Sequence, residues 1–107
     1  MKKGILSLGL GALLVSTLPV AAADGDAKKG EAVFENCSVC HNADSTEAKV
    51  GPGLKGLFKR EKLVNGKPTN EANVRALINE GTSAMPPMGD AMKDDEKDNL
   101  IAYLKTL

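Results

Sequence analysis

The chain has 107 residues, with 14 basic and 14 acidic side chains, one histidine, two cysteines, three aromatic residues and no tryptophan. That balance carries no excess of positive charge for a nucleic-acid backbone, which excludes a basic nucleic-acid binder. A chain this short holds one domain, and so few aromatics leave little material for a self-sufficient core.

Residues 1–23 read as an export signal. Lys2 and Lys3 give a positive start, Ile5 to Val20 is apolar but broken by Gly9, Gly11 and Pro19, and Ala21-Ala22-Ala23 meets the small-residue rule for cleavage. The apolar run falls short of the ~20 residues that span a bilayer, and no cysteine stands near the cut to carry a lipid. Cleavage after Ala23 leaves residues 24–107 as the mature domain, 84 residues long. Taking Lys2 and Lys3 from the 14 basic residues leaves 12 against 14 acids, a net charge near −2.

The spacing predicts a first helix over about 27–37, capped by Asp26, with Ala27, Gly30, Val33-Phe34 and Cys37 recurring at helical intervals. Gly30 costs such a helix about 1 kcal/mol relative to Ala, so its presence points to close approach by another element. The helix runs into Cys37-Ser38-Val39-Cys40-His41, which holds both cysteines and the single histidine. A C-x-x-C-H run is the attachment signature of a c-type haem. On one turn of irregular helix the two thiols reach both haem vinyl groups and form thioethers, while the next residue presents an imidazole to the iron. A thioredoxin-like thiol couple shares the C-x-x-C, but it follows a strand, and no β-branched alternation flanks the motif here. A zinc site needs a fourth ligand, and the chain has no second Cys/His pair to supply it.

From Gly51-Pro52-Gly53 to Pro68 the chain is punctuated by glycine and proline and reads as loop. A second helix is predicted over about 71–80, capped by Asn70, striped by Val74, Leu77 and Ile78, and stopped by Gly81. Residues 82–93 form a loop rich in Met and Pro. A third helix is predicted over about 95–106 with Asp94 as cap. Asp95, Glu96 and Asp98 sit where the helix dipole favours negative charge, and Leu100, Ile101, Tyr103-Leu104 and Leu107 form the inward face. No alternating strand pattern occurs, so the fold class is all-α. Loops this long are unusual in so small a domain unless they wrap a ligand.

Iron bound by His41 alone is open to external ligands, whereas a thioether in the sixth position closes the site and raises the reduction potential. The candidates are Met85, Met88 and Met92. Met85 is favoured because Pro86-Pro87 stiffens the chain directly after it, and Met88 is the runner-up. Met88 and Met92 also suit the role of flexible packing residues.

From Asp26 to Leu107 the chain resembles the small class I cytochromes c of bacteria. Gly30 and Phe34 before the haem motif, with Tyr103 in the last helix, resemble that family's crossing terminal helices. Gly51-Pro52-Gly53-Leu54 resembles its G-P-x-L segment, in which the proline carbonyl accepts a hydrogen bond from the other nitrogen of the haem-ligating histidine; that contact orients the ring and raises its basicity. Gly56-Leu57-Phe58-Lys59-Arg60 resembles the stretch leading to an arginine near a haem propionate, and Gly81-Thr82-Ser83-Ala84-Met85-Pro86-Pro87 resembles the axial-methionine loop. The tryptophan that often contacts a propionate in the family is absent.

The resemblance implies an all-α cytochrome c fold of three main helices, with loops wrapped around one covalently bound haem c. It implies thioethers at Cys37 and Cys40, His41 and Met85 as iron ligands, Pro52 behind His41 and Arg60 near a propionate. The function so implied is a periplasmic electron carrier, monomeric and not an enzyme, that meets protein redox partners transiently and has no stable membrane insertion after cleavage. The competing reading is a five-coordinate haem c sensor or ligand-binding protein. It would need a distal acid–base group, and the chain has no second histidine. Charge is segregated, with six basic residues against Glu61 over 49–67 and five acids against Lys93 and Lys97 over 90–99. Such a dipole steers transient redox encounters.

Overall fold

The computed structural model of the chain describes residues 25–107, and the expected leader lies outside them. Three α-helices carry the architecture: α1 (Ala27–Phe34), α2 (Glu71–Glu80) and α3 (Asp94–Leu104). Short 3-10 turns, Leu57–Lys59 and Gly89–Ala91, interrupt the connecting loops. Among the described residues the only β-pairing is an isolated antiparallel bridge between Lys62 and Pro68. No described helix is long and apolar enough to cross a membrane.

The helix starts follow from capping chemistry. The Asp26 carboxylate accepts from the N–H groups of Lys28 and Lys29 at 2.8 and 3.3 Å, and Asn70 Oδ1 accepts from Asn73 N–H at 2.7 Å. Helix α2 occupies the predicted span and stops at Gly81, whose φ of 72° suits a residue without a Cβ. Helix α3 begins one residue earlier than predicted, so Lys93, not Asp94, is its N-cap. The reason is the Glu96 carboxylate, which reaches back to accept the Lys93 N–H at 2.9 Å and draws Asp94 into the first turn. Helix α1 ends at Phe34, short of the predicted Cys37. Asn36 Nδ2 and Ser38 Oγ donate to the carbonyls of Val33 and Glu35, three residues back, and this competition tightens the chain into successive turns.

The crossing of α1 on α3 is the main tertiary contact, and it is a contact of backbones. A Cβ built on Gly30 would lie 1.9 Å from the Asn99 carbonyl oxygen and 2.8 Å from Tyr103 Cβ. One turn on, the rings of Phe34 and Tyr103 pack with centroids 5.4 Å apart and planes tilted by 56°. Asn99 Oδ1 accepts the Asp26 N–H at 2.7 Å, which fastens the start of α1 to the middle of α3. Arg75 pairs with Asp98 and Lys105 with Glu71, tying α2 to α3 at the surface. Below these contacts lies the core, made of Phe34, Leu57, Leu63, Val74, Ile78, Met92, Leu100, Ile101 and Leu104.

This geometry inverts the usual effect of glycine in a helix. Gly30→Ala would stabilise an isolated helix by about 1 kcal/mol. In this crossing the added methyl meets backbone that cannot yield, so overpacking of about 1–3 kcal/mol prevails. Denaturant unfolding of Gly30→Ala should show a lower midpoint than the parent, and a raised midpoint would contradict the close crossing.

Candidate functional site

After Phe34 the turns wind the cysteine motif into a fixed shape. The N–H groups of Cys37 and Ser38 donate to the Phe34 carbonyl at 2.6 and 2.9 Å, and those of Cys40 and His41 donate to the Cys37 carbonyl at 3.0 and 2.9 Å. Lys49 Nζ closes the turn from outside by donating to the Ser38 carbonyl at 2.7 Å. Cys37, Cys40 and His41 all line one cavity of about 570 Å³. That volume falls within the range of small-molecule and cofactor sites.

The imidazole of His41 is oriented from behind. Its Nδ1 lies 2.8 Å from the carbonyl oxygen of Pro52, which can only accept, so Nδ1 carries a proton and Nε2 is the nitrogen left for a metal. The loop that supplies this carbonyl is held by the Gly51 N–H, which donates to the Cys40 carbonyl at 2.7 Å, and by the Leu54 N–H, which donates to the Asn42 carbonyl at 2.8 Å. Gly51 has no room for a side chain: a Cβ there would fall 2.5 Å from His41 Cε1. The ring is thus confined by a glycine against its edge and a carbonyl at its outer nitrogen.

Met85 reaches the same cavity from the loop after α2. Thr82 shapes that loop. Its Oγ1 accepts the N–H groups of Ala84 and Met85 at 3.1 and 3.0 Å, while its own N–H donates to the Met85 carbonyl at 2.9 Å. A Cβ on Gly81 would strike the Met85 carbonyl oxygen at 2.4 Å, so the turn closes tightly against the end of α2.

Most of the remaining wall is apolar and includes Phe34, Leu57, Val74, Leu77 and Leu100. The formally charged side chains on it are Arg60 and Lys62, both cationic. Arg60 Nη2 donates to the carbonyls of Gly53 and Lys55 at 2.7 and 3.0 Å, which pins the loop behind His41. Burial, with a smaller push from Cys40, raises the Cys37 thiol above its ordinary value. A thiol-exchange couple relies on a cysteine held low, so this environment argues against that chemistry. An imidazole fixed through Nδ1, a thioether, two thiols and a largely apolar chamber form a donor set that fits an iron porphyrin.

The structure therefore brings Cys37, Cys40, His41, Pro52, Arg60 and Met85 to one site. Met88 packs beside the core and Met92 is buried within it, and neither lines the cavity. Sequence reasoning missed Thr82, although a threonine in a loop can accept a backbone N–H two residues on and so form a turn, as it does here with Ala84. It also missed Lys49 as the clasp on the cysteine turn, for which the local sequence holds no cue.

Comparison with known proteins agrees with this geometry. The family model for cytochrome c matches residues 27–107. The chain is 35% identical to a cytochrome c2 of Rhodospirillum rubrum across all of this chain and 99% of that protein. It is also 35% identical to a cytochrome c2 of Blastochloris viridis, covering 94% of this chain and 91% of the relative. Among solved structures, cytochrome c6 from the diatom Phaeodactylum tricornutum matches with a TM-score of 0.61 and 26% identity, over 77% of this chain and 93% of that one. Helix order, cavity and relatives together show that the chain belongs to the cytochrome c family as a class I member, a monohaem electron carrier with one covalently bound haem c and not an enzyme.

Proposed function

We propose that the chain is a periplasmic single-electron carrier in a respiratory or other electron-transfer chain. Cys37 and Cys40 would hold its haem through thioethers, and His41 Nε2 and the Met85 sulfur would ligate its iron. The observation that carries this reading is the convergence of all four side chains on one cavity, with His41 Nδ1 already committed to the Pro52 carbonyl. When bound, the haem supplies a one-electron Fe(III)/Fe(II) couple. The chain's own part is to aim the His41 ring through its Nδ1 hydrogen bond, to present a thioether from a braced loop, and to exclude water with apolar walls. With both His41 and Met85 on the iron no coordination site would stay open, and electron exchange would be the remaining chemistry. Export through the 1–23 leader fits haem attachment outside the cytoplasm, and the mature monomer meets its redox partners transiently.

Spectra of the haem-loaded mature protein test the ligand set. In the parent and in Met85→Ala the haem should stay with the polypeptide through denaturing extraction. The weak long-wavelength band of iron–thioether ligation should vanish in Met85→Ala, with a lower reduction potential. A band that survives Met85→Ala and disappears in Met88→Ala would transfer the role to the runner-up, and attached haem with no such band in the parent would favour a five-coordinate sensor.

The bracing by Thr82 has its own signature. Thr82→Val keeps the side-chain shape but removes the acceptor for two N–H groups, a loss on the order of 1–3 kcal/mol. The thioether band should then be lost on alkaline titration at a pH lower by about 1 unit. An unchanged titration would show that the loop holds Met85 without this bond.

A further inference from the structure

We propose that Asn65-Gly66 is a self-modifying site, at which the Asn65 side-chain amide is lost to the chain's own backbone and a carboxylate takes its place. The chemistry needs only water and holds whether or not the chamber carries a haem.

Asparagine followed directly by glycine occurs once in the chain, at 65–66. In the reaction the Gly66 nitrogen bonds to Asn65 Cγ and gives up its proton. The side-chain nitrogen leaves with that proton as ammonia, and a five-membered succinimide closes. Water then opens the ring at either carbonyl, which yields aspartate or isoaspartate with no change of oxidation state. The step requires an unshielded nitrogen, an electrophilic Cγ and a side chain folded back over the following peptide.

The turn supplies all three. Asn65 is exposed, and Gly66 sits at φ 85°. Beyond its chain neighbours no atom lies within 4 Å of the place a Cβ on Gly66 would take, so that side of the peptide is open to water and base. The Gly66 N–H donates to the Leu63 carbonyl at 2.8 Å, which pushes electron density onto the nitrogen. That bond lies in the peptide plane and leaves the faces of the amide clear. Asn65 Oδ1 accepts the Lys67 N–H at 3.1 Å, which draws density from Cγ and folds the side chain over the Gly66 peptide. The arrangement is held in place, since Leu63 is buried, its N–H donates to the Lys67 carbonyl at 2.9 Å, and the Lys62–Pro68 bridge brackets the turn.

The other asparagines lack this arrangement, and each is followed by a residue with a side chain. Asn73, Asn79 and Asn99 lie inside α2 and α3, and Asn70 caps α2. Asn36 and Asn42 commit their Nδ2 groups to the carbonyls of Val33 and Glu47. Reaction at 65 has a consequence for the surface. It writes a negative charge into the 49–67 segment, which holds six cations against Glu61, at a residue that lines the cavity. Isoaspartate also lengthens the main chain inside the bridged turn. The basic face thus loses one unit of charge as the molecule ages, which weakens the field that steers acidic partners.

The test is incubation of the purified mature protein at mildly alkaline pH, followed by charge-resolved chromatography, peptide mapping and enzymatic methylation of isoaspartate. Acidic species should accumulate with first-order kinetics and map to residue 65. They should form at least about tenfold faster there than at any other asparagine, the difference that one retained hydrogen bond makes to a barrier. Asn65→Gln, which must close a larger ring, should lose these species while keeping the parent's unfolding midpoint. Asn65→Asp should elute with one of the two products. The parent unfolded in urea should react no faster than the folded protein, because unfolding removes both polarising bonds. Equal rates at other asparagines, acidic species that persist in Asn65→Gln, or a reaction about tenfold faster in urea would overturn the proposal.

Discussion

The side chains that form the core of this domain are also the wall of its cavity. Phe34, Leu57, Leu63, Val74, Ile78, Leu100 and Leu104 are buried, and each lines the chamber of about 570 Å³. The helices thus pack around the chamber as well as on one another, and because domains of this size are stable by only about 5–15 kcal/mol in total, the fold is expected to need a large apolar occupant. A covalently held porphyrin meets that requirement, because attachment removes the concentration dependence of binding.

The local features serve this arrangement. The Gly30 crossing sets α1 directly on α3 and thereby fixes where the turn after Phe34 begins. That turn sets the spacing of Cys37, Cys40 and His41. The 51–54 loop then fits against the histidine because Gly51 yields space to the ring and Pro52 offers its carbonyl. Arg60 joins this loop to the segment that forms another part of the wall, so the electrostatics of the chamber and the aim of the imidazole share one support. On the methionine side, Gly81 and Thr82 do for Met85 what Gly51 and Pro52 do for His41.

Much of this was legible in the sequence because it is encoded locally. The caps Asp26 and Asn70, the span of α2 and the haem motif each follow from a few adjacent residues. So does the close approach at Gly30, since a glycine inside an apolar helical stripe has few other uses. The start of α3 was misread because two acidic residues compete for the cap, and the decisive bond comes from Glu96, three residues ahead of the actual cap. The end of α1 was misread because polar side chains at 36 and 38 compete for helical carbonyls while the apolar spacing continues to Cys37. The 51–68 stretch read only as loop, yet it buries Leu63 and turns at Gly66, where φ is 85°. The contacts of Arg60 and Lys49 reach carbonyls five to eleven residues back along irregular chain, where no periodic pattern marks them.

Removing the covalent anchors while leaving the apolar wall intact tests the dependence of the fold on its occupant most directly. A Cys37→Ala/Cys40→Ala variant of the mature chain, purified without haem, would be compared with the haem-loaded parent by far-ultraviolet circular dichroism during denaturant unfolding. The account predicts weak helicity and no cooperative transition in the variant, against a single sharp transition in the parent. Native-like helicity with cooperative unfolding in the haem-free variant would contradict it, because the helices would then be closing a core without anything in the cavity.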